Sequence, residues 1–93
     1  MIRSFGNAMT EAVANGKLPK GFPSDIARRA VRKLTMIENA VELIDLRSPP
    51  GNHLEALRGD RSGQHSIRIN DQWRICFVWT EQGPEHVEIV DYH

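Results

Sequence analysis

The sequence predicts an α+β fold in which N-terminal helices, with a short first strand, pack on a C-terminal antiparallel β-sheet. Three observations carry this. Between positions 25 and 46 apolar residues recur at three- and four-residue spacing; between 65 and 92 they alternate with polar ones; and Ser48-Pro49-Pro50-Gly51 separates the two patterns. A chain of 93 residues buries only roughly 60 to 65% of its extended surface on folding. Neither half can then bury a core alone, so residues 1–93 are read as a single domain.

Taken in order, Ile2-Arg3-Ser4-Phe5 alternates and predicts an edge strand, and Thr10 to Asn15 predicts a short helix closed by Gly16. The turn-rich Lys17-Leu18-Pro19-Lys20-Gly21-Phe22-Pro23 follows. Ser24 is a good N-cap and Asp25 suits the positive end of a helix. Ile26, Ala27, Ala30, Val31, Leu34, Ile37, Val41 and Ile44 then form one apolar stripe, predicting a helix from about 25 to 46, bent near Asn39. The opposite side carries Arg28, Arg29, Arg32 and Lys33, which is a solvated face or a grip for RNA or an acidic partner.

Beyond the Pro-Pro-Gly break come Leu54 to Arg58, a Gly59-Asp60-Arg61-Ser62-Gly63 turn, His65 to Asn70, Trp73 to Thr80, a Glu81-Gln82-Gly83-Pro84 turn, and Val87 to Tyr92. These predict four successive antiparallel strands. The apolar pattern fixes the register, because a slip of one residue turns a whole strand over. A two-residue loop at Asn70-Asp71 would pair Ile67 with Arg74 and mix the faces. A three-residue loop, Asn70-Asp71-Gln72, pairs Ile69 with Trp73 and Arg68 with Arg74. With Val87 and Ile89 joining Trp79 and Phe77 under the helices, Tyr92 is expected opposite Arg74. Arg68, Arg74 and Tyr92 would then share an open sheet surface.

Twelve basic and twelve acidic side chains cancel, but unevenly: residues 1–50 hold eight Lys/Arg against five Asp/Glu, and residues 51–93 hold four against seven. Neutrality argues against tight capture of free nucleic acid by counterion release. The single Cys76 lies in an apolar run and is expected to be a buried structural thiol in a reducing compartment. No run approaches the ~18 apolar residues of a membrane span and no signal-peptide hydrophobic region follows Met1, so a soluble, cytoplasmic protein is expected.

Two arginines side by side on a sheet repel unless an anion lies between them or acids neutralise them. A phosphate would suit Arg68 and Arg74, with Arg58 at the end of its strand as a third donor; alternatively Glu88, on the same face, and other carboxylates simply pair with them. Asp91-Tyr92-His93 concentrates a carboxylate, a phenol and an imidazole, all proton-transfer groups. RNA is cleaved without metal when its own 2′-OH is deprotonated, attacks the adjacent phosphate and expels the 5′-oxygen. The protein then supplies a base, an acid and positive charge. Alternation alone puts Asp91 and His93 on the face opposite Tyr92 unless the terminus bends. His53, His65, His86 and His93 have no ligand-motif spacing with each other or with Cys76, so neither metal nor other cofactor is expected.

Residues 52–61 (Asn-His-Leu-Glu-Ala-Leu-Arg-Gly-Asp-Arg), 66–75 (Ser-Ile-Arg-Ile-Asn-Asp-Gln-Trp-Arg-Ile) and 87–93 (Val-Glu-Ile-Val-Asp-Tyr-His) closely resemble the HigB-like toxins of the RelE/ParE superfamily, as does the opening Met1 to Phe5. The resemblance implies a RelE-like fold and a toxin of a type II toxin–antitoxin system that enters the ribosomal A site and cleaves translated mRNA without metal. It also implies neutralisation by a helix-turn-helix, HigA-like antitoxin, with operator DNA met only through that complex, and no membrane partner. Family roles carry to Arg58 and Arg74 as phosphate or transition-state stabilisers and to Asp91, Tyr92 and His93 as the acid–base and substrate-orienting group. Some relatives place a catalytic histidine in the register that Glu55 occupies here; His53, two positions earlier, keeps the same strand face and is carried over as a substrate-binding residue at the rim. Two other readings remain: a gyrase-inhibiting toxin of the ParE type, which lacks such a terminal cluster, and a non-catalytic antitoxin-binding co-repressor in which Arg68 and Arg74 are structural.

Overall fold

A computed structural model describes residues 1–91. It holds two helices, α1 (Ala8–Ala14) and α2 (Ser24–Asn39), followed by an antiparallel sheet of β1 (Glu55–Ala56), β2 (His65–Arg68), β3 (Trp73–Thr80) and β4 (Gly83–Asp91) in sequential order. The expected α+β arrangement is what forms.

Asn7 begins α1, its Oδ1 accepting from the Thr10 N–H at 2.9 Å. The helix closes with Gly16 left-handed (φ 84°), its N–H donating to Val13 O and that of Lys17 to Ala12 O, a pair that satisfies the last carbonyls. Helix α2 starts one residue earlier than expected: Pro23 takes the capping position, without a side-chain cap, and Ser24 is already helical. It also ends seven residues early. At Ala40 the backbone turns extended, and the Asp45 carboxylate accepts the Val41 and Glu42 N–H groups, starting a separate 3-10 turn at Leu43–Arg47. That turn buries Leu46 and leaves Val41 and Ile44 exposed. Those two therefore do not belong to the core stripe: the Asp45 carboxylate, by capping Val41 and Glu42, overrides the continuing period.

The core joins Ile26, Ala30, Leu34 and Ile37 of α2 and Val13 of α1 to Ile67, Ile75, Phe77, Val87 and Ile89 of the sheet, with Phe22 tilted against Trp73 at 6.1 Å between ring centres. Thr10, fully buried, accepts the Ile89 N–H at 2.9 Å and ties α1 to β4. The N-terminal segment forms no full strand. One parallel bridge links Phe5 to Val87, with Arg3 N–H on Pro84 O at 2.8 Å, and this covers the outer edge of β4.

The β2–β3 loop is the expected three-residue one. Ile69 N–H meets Trp73 O at 2.9 Å, Arg68 pairs with Arg74, and Asn70 Oδ1 accepts from the Gln72 and Trp73 N–H groups. The last hairpin is tighter than expected: β4 starts at Gly83, and His86 (φ 52°) is an extra residue in a bulge between the Cys76/Glu88 and Val78/Glu85 pairs. These two changes place Val90, not Tyr92, opposite Arg74. Tyr92 and His93 lie outside the described residues. No described helix is long and apolar enough to cross a membrane.

Candidate functional site

The sheet has one face under the helices and one turned away from them, and alternation along β2, β3 and β4 sends Ser66, Arg68, Arg74, Cys76, Glu88 and Val90 to the second. Arg74 sits at the middle of that face with only 12% of its side chain exposed. Its Nε donates to Ser66 Oγ at 2.7 Å, and its Nη2 donates to His53 O at 2.6 Å and to Ser66 O at 3.4 Å. The Glu55 carboxylate lies 3.6 Å from the same Nη2. A strand, a two-residue edge strand and the turn before it therefore hold one guanidinium. Nη1 makes no hydrogen bond with a described residue, leaving that edge of the fork for an outside anion.

Each arginine of the Arg68/Arg74 cross-strand pair has a carboxylate beside it. Arg68 is paired with Asp71 of the hairpin loop, which is itself 94% exposed. Such an exposed pair contributes little and exchanges readily for another anion. The carboxylates beside the two arginines are the others of the alternative reading, not Glu88, which stands opposite Cys76, one rung further from the β2–β3 hairpin, and pairs with Arg61 at 2.8 Å.

Arg58 is not at the end of a strand. Ladder pairing stops at Ala56 because Leu57 turns inward, its N–H closing onto Gln64 O at 2.8 Å, and Arg58 leads into the 3-10 turn Gly59–Arg61 as an exposed residue. His53 is reached by Arg74 through its main-chain oxygen, while the residue as a whole is exposed. Asp91 pairs with Trp73, so it points to the helix-covered side of the sheet, where Gln72 Nε2 donates to its Oδ2 at 3.2 Å. Of the expected site residues, then, Arg68, Arg74 and the His53 backbone come together. Arg58 stands apart, Asp91 lies on the other face at the neighbouring Trp73 rung, and Tyr92 and His93 lie outside the described residues.

Ser66, Glu55 and Arg61 were missed. Ser66 left a signal, since it alternates in step with Arg68 and Arg74; the contacts of Glu55 and Arg61 depend on how a loop folds back and left none. Cys76 is fully buried beneath this face, as expected. Burial pushes its thiol up, with Arg61 as the largest opposing influence. No cluster of three or more His, Cys, Asp or Glu that could hold a metal ion occurs among the described residues.

On the α2 side, the Lys33 ammonium is lowered by burial and then by Arg32 and Arg29. It donates to Asn52 Oδ1, and Arg29 Nη1 donates to Ile69 O at 3.4 Å. The basic stripe is thus partly pinned against the loops around the site instead of being wholly solvated.

A family model described as RelE-like toxin of the type II toxin–antitoxin system HigB matches residues 7–93. Toxin HigB-1 of Vibrio cholerae is 44% identical over 60 residues, 64% of this chain and 63% of that protein. An uncharacterised protein of Haemophilus influenzae is 44% identical over 58 residues, 62% of this chain and 57% of its own. The match therefore spans less than two thirds of the length of either. Endoribonuclease HigB of Proteus vulgaris is 29% identical over 93 residues, the whole of both chains.

Proposed function

Because the chain belongs to the HigB-like family, RelE-like toxins of type II toxin–antitoxin systems, we propose that it is such a toxin and acts as a metal-independent endoribonuclease on mRNA in the ribosomal A site, so arresting translation. The observation that carries the reading is the clamped Arg74 guanidinium, held on three sides with its Nη1 edge uncommitted among the described residues. A guanidinium fixed in this way offers its Nη1–H groups to a phosphate oxygen and needs no rearrangement as charge develops there.

In this mechanism the scissile phosphate sits against Arg74, and Arg68 exchanges Asp71 for it. The 2′-OH gives up its proton to a base and attacks the phosphorus; the 5′-oxygen leaves as it takes a proton from an acid; and Arg74 stabilises the dianionic phosphorane between them. The proton carriers are drawn from Tyr92 and His93, with Glu55 a further carboxylate beside Arg74; Asp91, on the helix-covered side of the sheet, is not among them. Arg58 supplies a contact to a flanking phosphate. Reliance on the ribosome fits the neutral charge, since mRNA delivered by the ribosome need not be captured free. A helix-turn-helix antitoxin of the HigA kind is the neutralising partner, and the site of action is the cytoplasm.

Cleavage of mRNA on programmed ribosomes in EDTA, with ribosome-free mRNA as control, tests this. The wild type should cut only with ribosomes. Arg74→Ala and a chain lacking residues 92 and 93 should each lose roughly 100-fold or more. A wild-type protein that arrests growth without cutting mRNA would refute the nuclease reading and point to gyrase.

A further inference from the structure

Asn52 is fully buried, and both ends of its side-chain amide and its backbone N–H are engaged. Its Nδ2 donates to Leu46 O at 3.1 Å and Ser48 O at 3.3 Å, its Oδ1 accepts from Lys33 Nζ, and its backbone N–H donates to Pro49 O at 2.9 Å. The next residue, His53, is left-handed (φ 46°, ψ 53°), a conformation unusual for a residue with a β-carbon. Its N–H donates to Pro50 O at 3.1 Å, and its carbonyl oxygen accepts from Arg74 Nη2 at 2.6 Å. An uncommon backbone conformation beside a fully satisfied buried amide, ending in a short bond to the central arginine, is the pattern of a turn kept for what it aims.

We propose that Asn52 and His53 are positioning residues for Arg74: His53 acts through its main-chain carbonyl oxygen, not its imidazole, and Asn52 acts by fixing the left-handed turn that aims that oxygen at the guanidinium. This rests on the reading of Arg74 as the phosphate-binding group. An extended residue 53 would swing its carbonyl away, and Arg74 would keep only Ser66 and the Glu55 carboxylate. The guanidinium would then turn toward Glu55, away from the phosphate.

The side chains that tolerate a left-handed backbone separate the two roles of His53. Asn and Gly adopt it readily, whereas β-branched Val does not. In ribosome-programmed cleavage, His53→Asn and His53→Gly should retain clearly more activity than His53→Val, which should fall about tenfold, the cost of a slightly misplaced group. The pH profile of His53→Asn should keep the wild-type shape. Asn52→Ala should lower kcat about tenfold with little change in KM, but lower it no further when Arg74 is already alanine; adding His53→Gly to Asn52→Ala should recover part of the loss. Melting curves establish that each variant is folded at the assay temperature. Loss of activity in His53→Asn equal to that in His53→Val, with a changed pH profile, overturns the proposal in favour of a catalytic imidazole. Equal losses from Asn52→Ala in both Arg74 backgrounds overturn it in favour of a merely structural amide. The NMR signals of the Arg74 Nη2 protons, which donate to His53 O, are read independently of activity: they should shift and exchange faster in Asn52→Ala and stay in place in His53→Asn, and unmoved signals in Asn52→Ala overturn the clamp. If the wild type cuts no RNA, the reading of the site fails, and the NMR arm still decides the clamp.

Discussion

Cys76 has its thiol inside the sheet, among Arg61, Glu88, Arg74 and Glu55, and burial pushes that thiol above its ordinary value of 9.0. The folded state then holds the thiol proton more tightly than the unfolded chain does. The stability it contributes is complete below pH 9.0 and is lost as pH rises through the raised folded value. Denaturant midpoints of the wild type should therefore fall above pH 9.0 more steeply than those of Cys76→Ala, and native Cys76 should react with thiol reagents only as fast as the protein opens. Parallel pH slopes in the two proteins would contradict this. At the same scale, alternation along the strands made the Arg68/Arg74 pairing legible, because a period of two leaves one consistent register. The carboxylate beside each arginine was not legible. Glu88 and other carboxylates are one reading of what neutralises the two arginines; the others do so, and whether Glu88 meets Arg61, Arg68 or Arg74 depends on where the turn at 59–61 folds back, which no spacing encodes.

Among the elements, the β3–β4 hairpin depends on one glycine. Gly83 has φ 125°, and a β-carbon there would lie 2.5 Å from Met1 O, a main-chain atom. Gly83→Ala meets both a backbone conformation reserved for glycine and a clash that only movement of the N-terminal segment relieves. It should cost about 2 kcal/mol or more in denaturant unfolding. Gly16→Ala, whose φ is 84° with nothing within 4 Å, should cost only about 1 kcal/mol. Equal losses would mean that the N-terminal segment does not hold the β4 edge. The strands were legible in kind and less so in extent. The helix expected from 25 to 46 stops at Asn39 because the Asp45 side chain captures two N–H groups that a continuing helix would use, a competition invisible to apolar periodicity. In the last strand the apolar face was right, but the His86 bulge and a hairpin tighter than expected moved Arg74 from Tyr92 to Val90.

At the scale of the molecule, helices on one side of the sheet leave the other side free to carry polar chemistry, and the arginines gather there. Sequence patterning gave access to that division, since apolar residues mark the covered face and whatever alternates with them must lie on the other. It gave no access to how the turn at 52–53 aims a carbonyl at Arg74, because that depends on a buried amide gripping Leu46, Ser48 and Lys33 at once. The proposed chemistry uses the substrate's own 2′-OH as nucleophile, and this leaves a signature in the products. The most direct measurement is therefore of the ends of mRNA cut by the wild-type protein on programmed ribosomes. The account predicts a 5′-hydroxyl on the downstream fragment and a 2′,3′-cyclic phosphate, or the 3′-phosphate it opens to, on the upstream one. A 5′-phosphate with a 3′-hydroxyl would mean that water attacked instead, and would contradict the site mechanism proposed for Arg74.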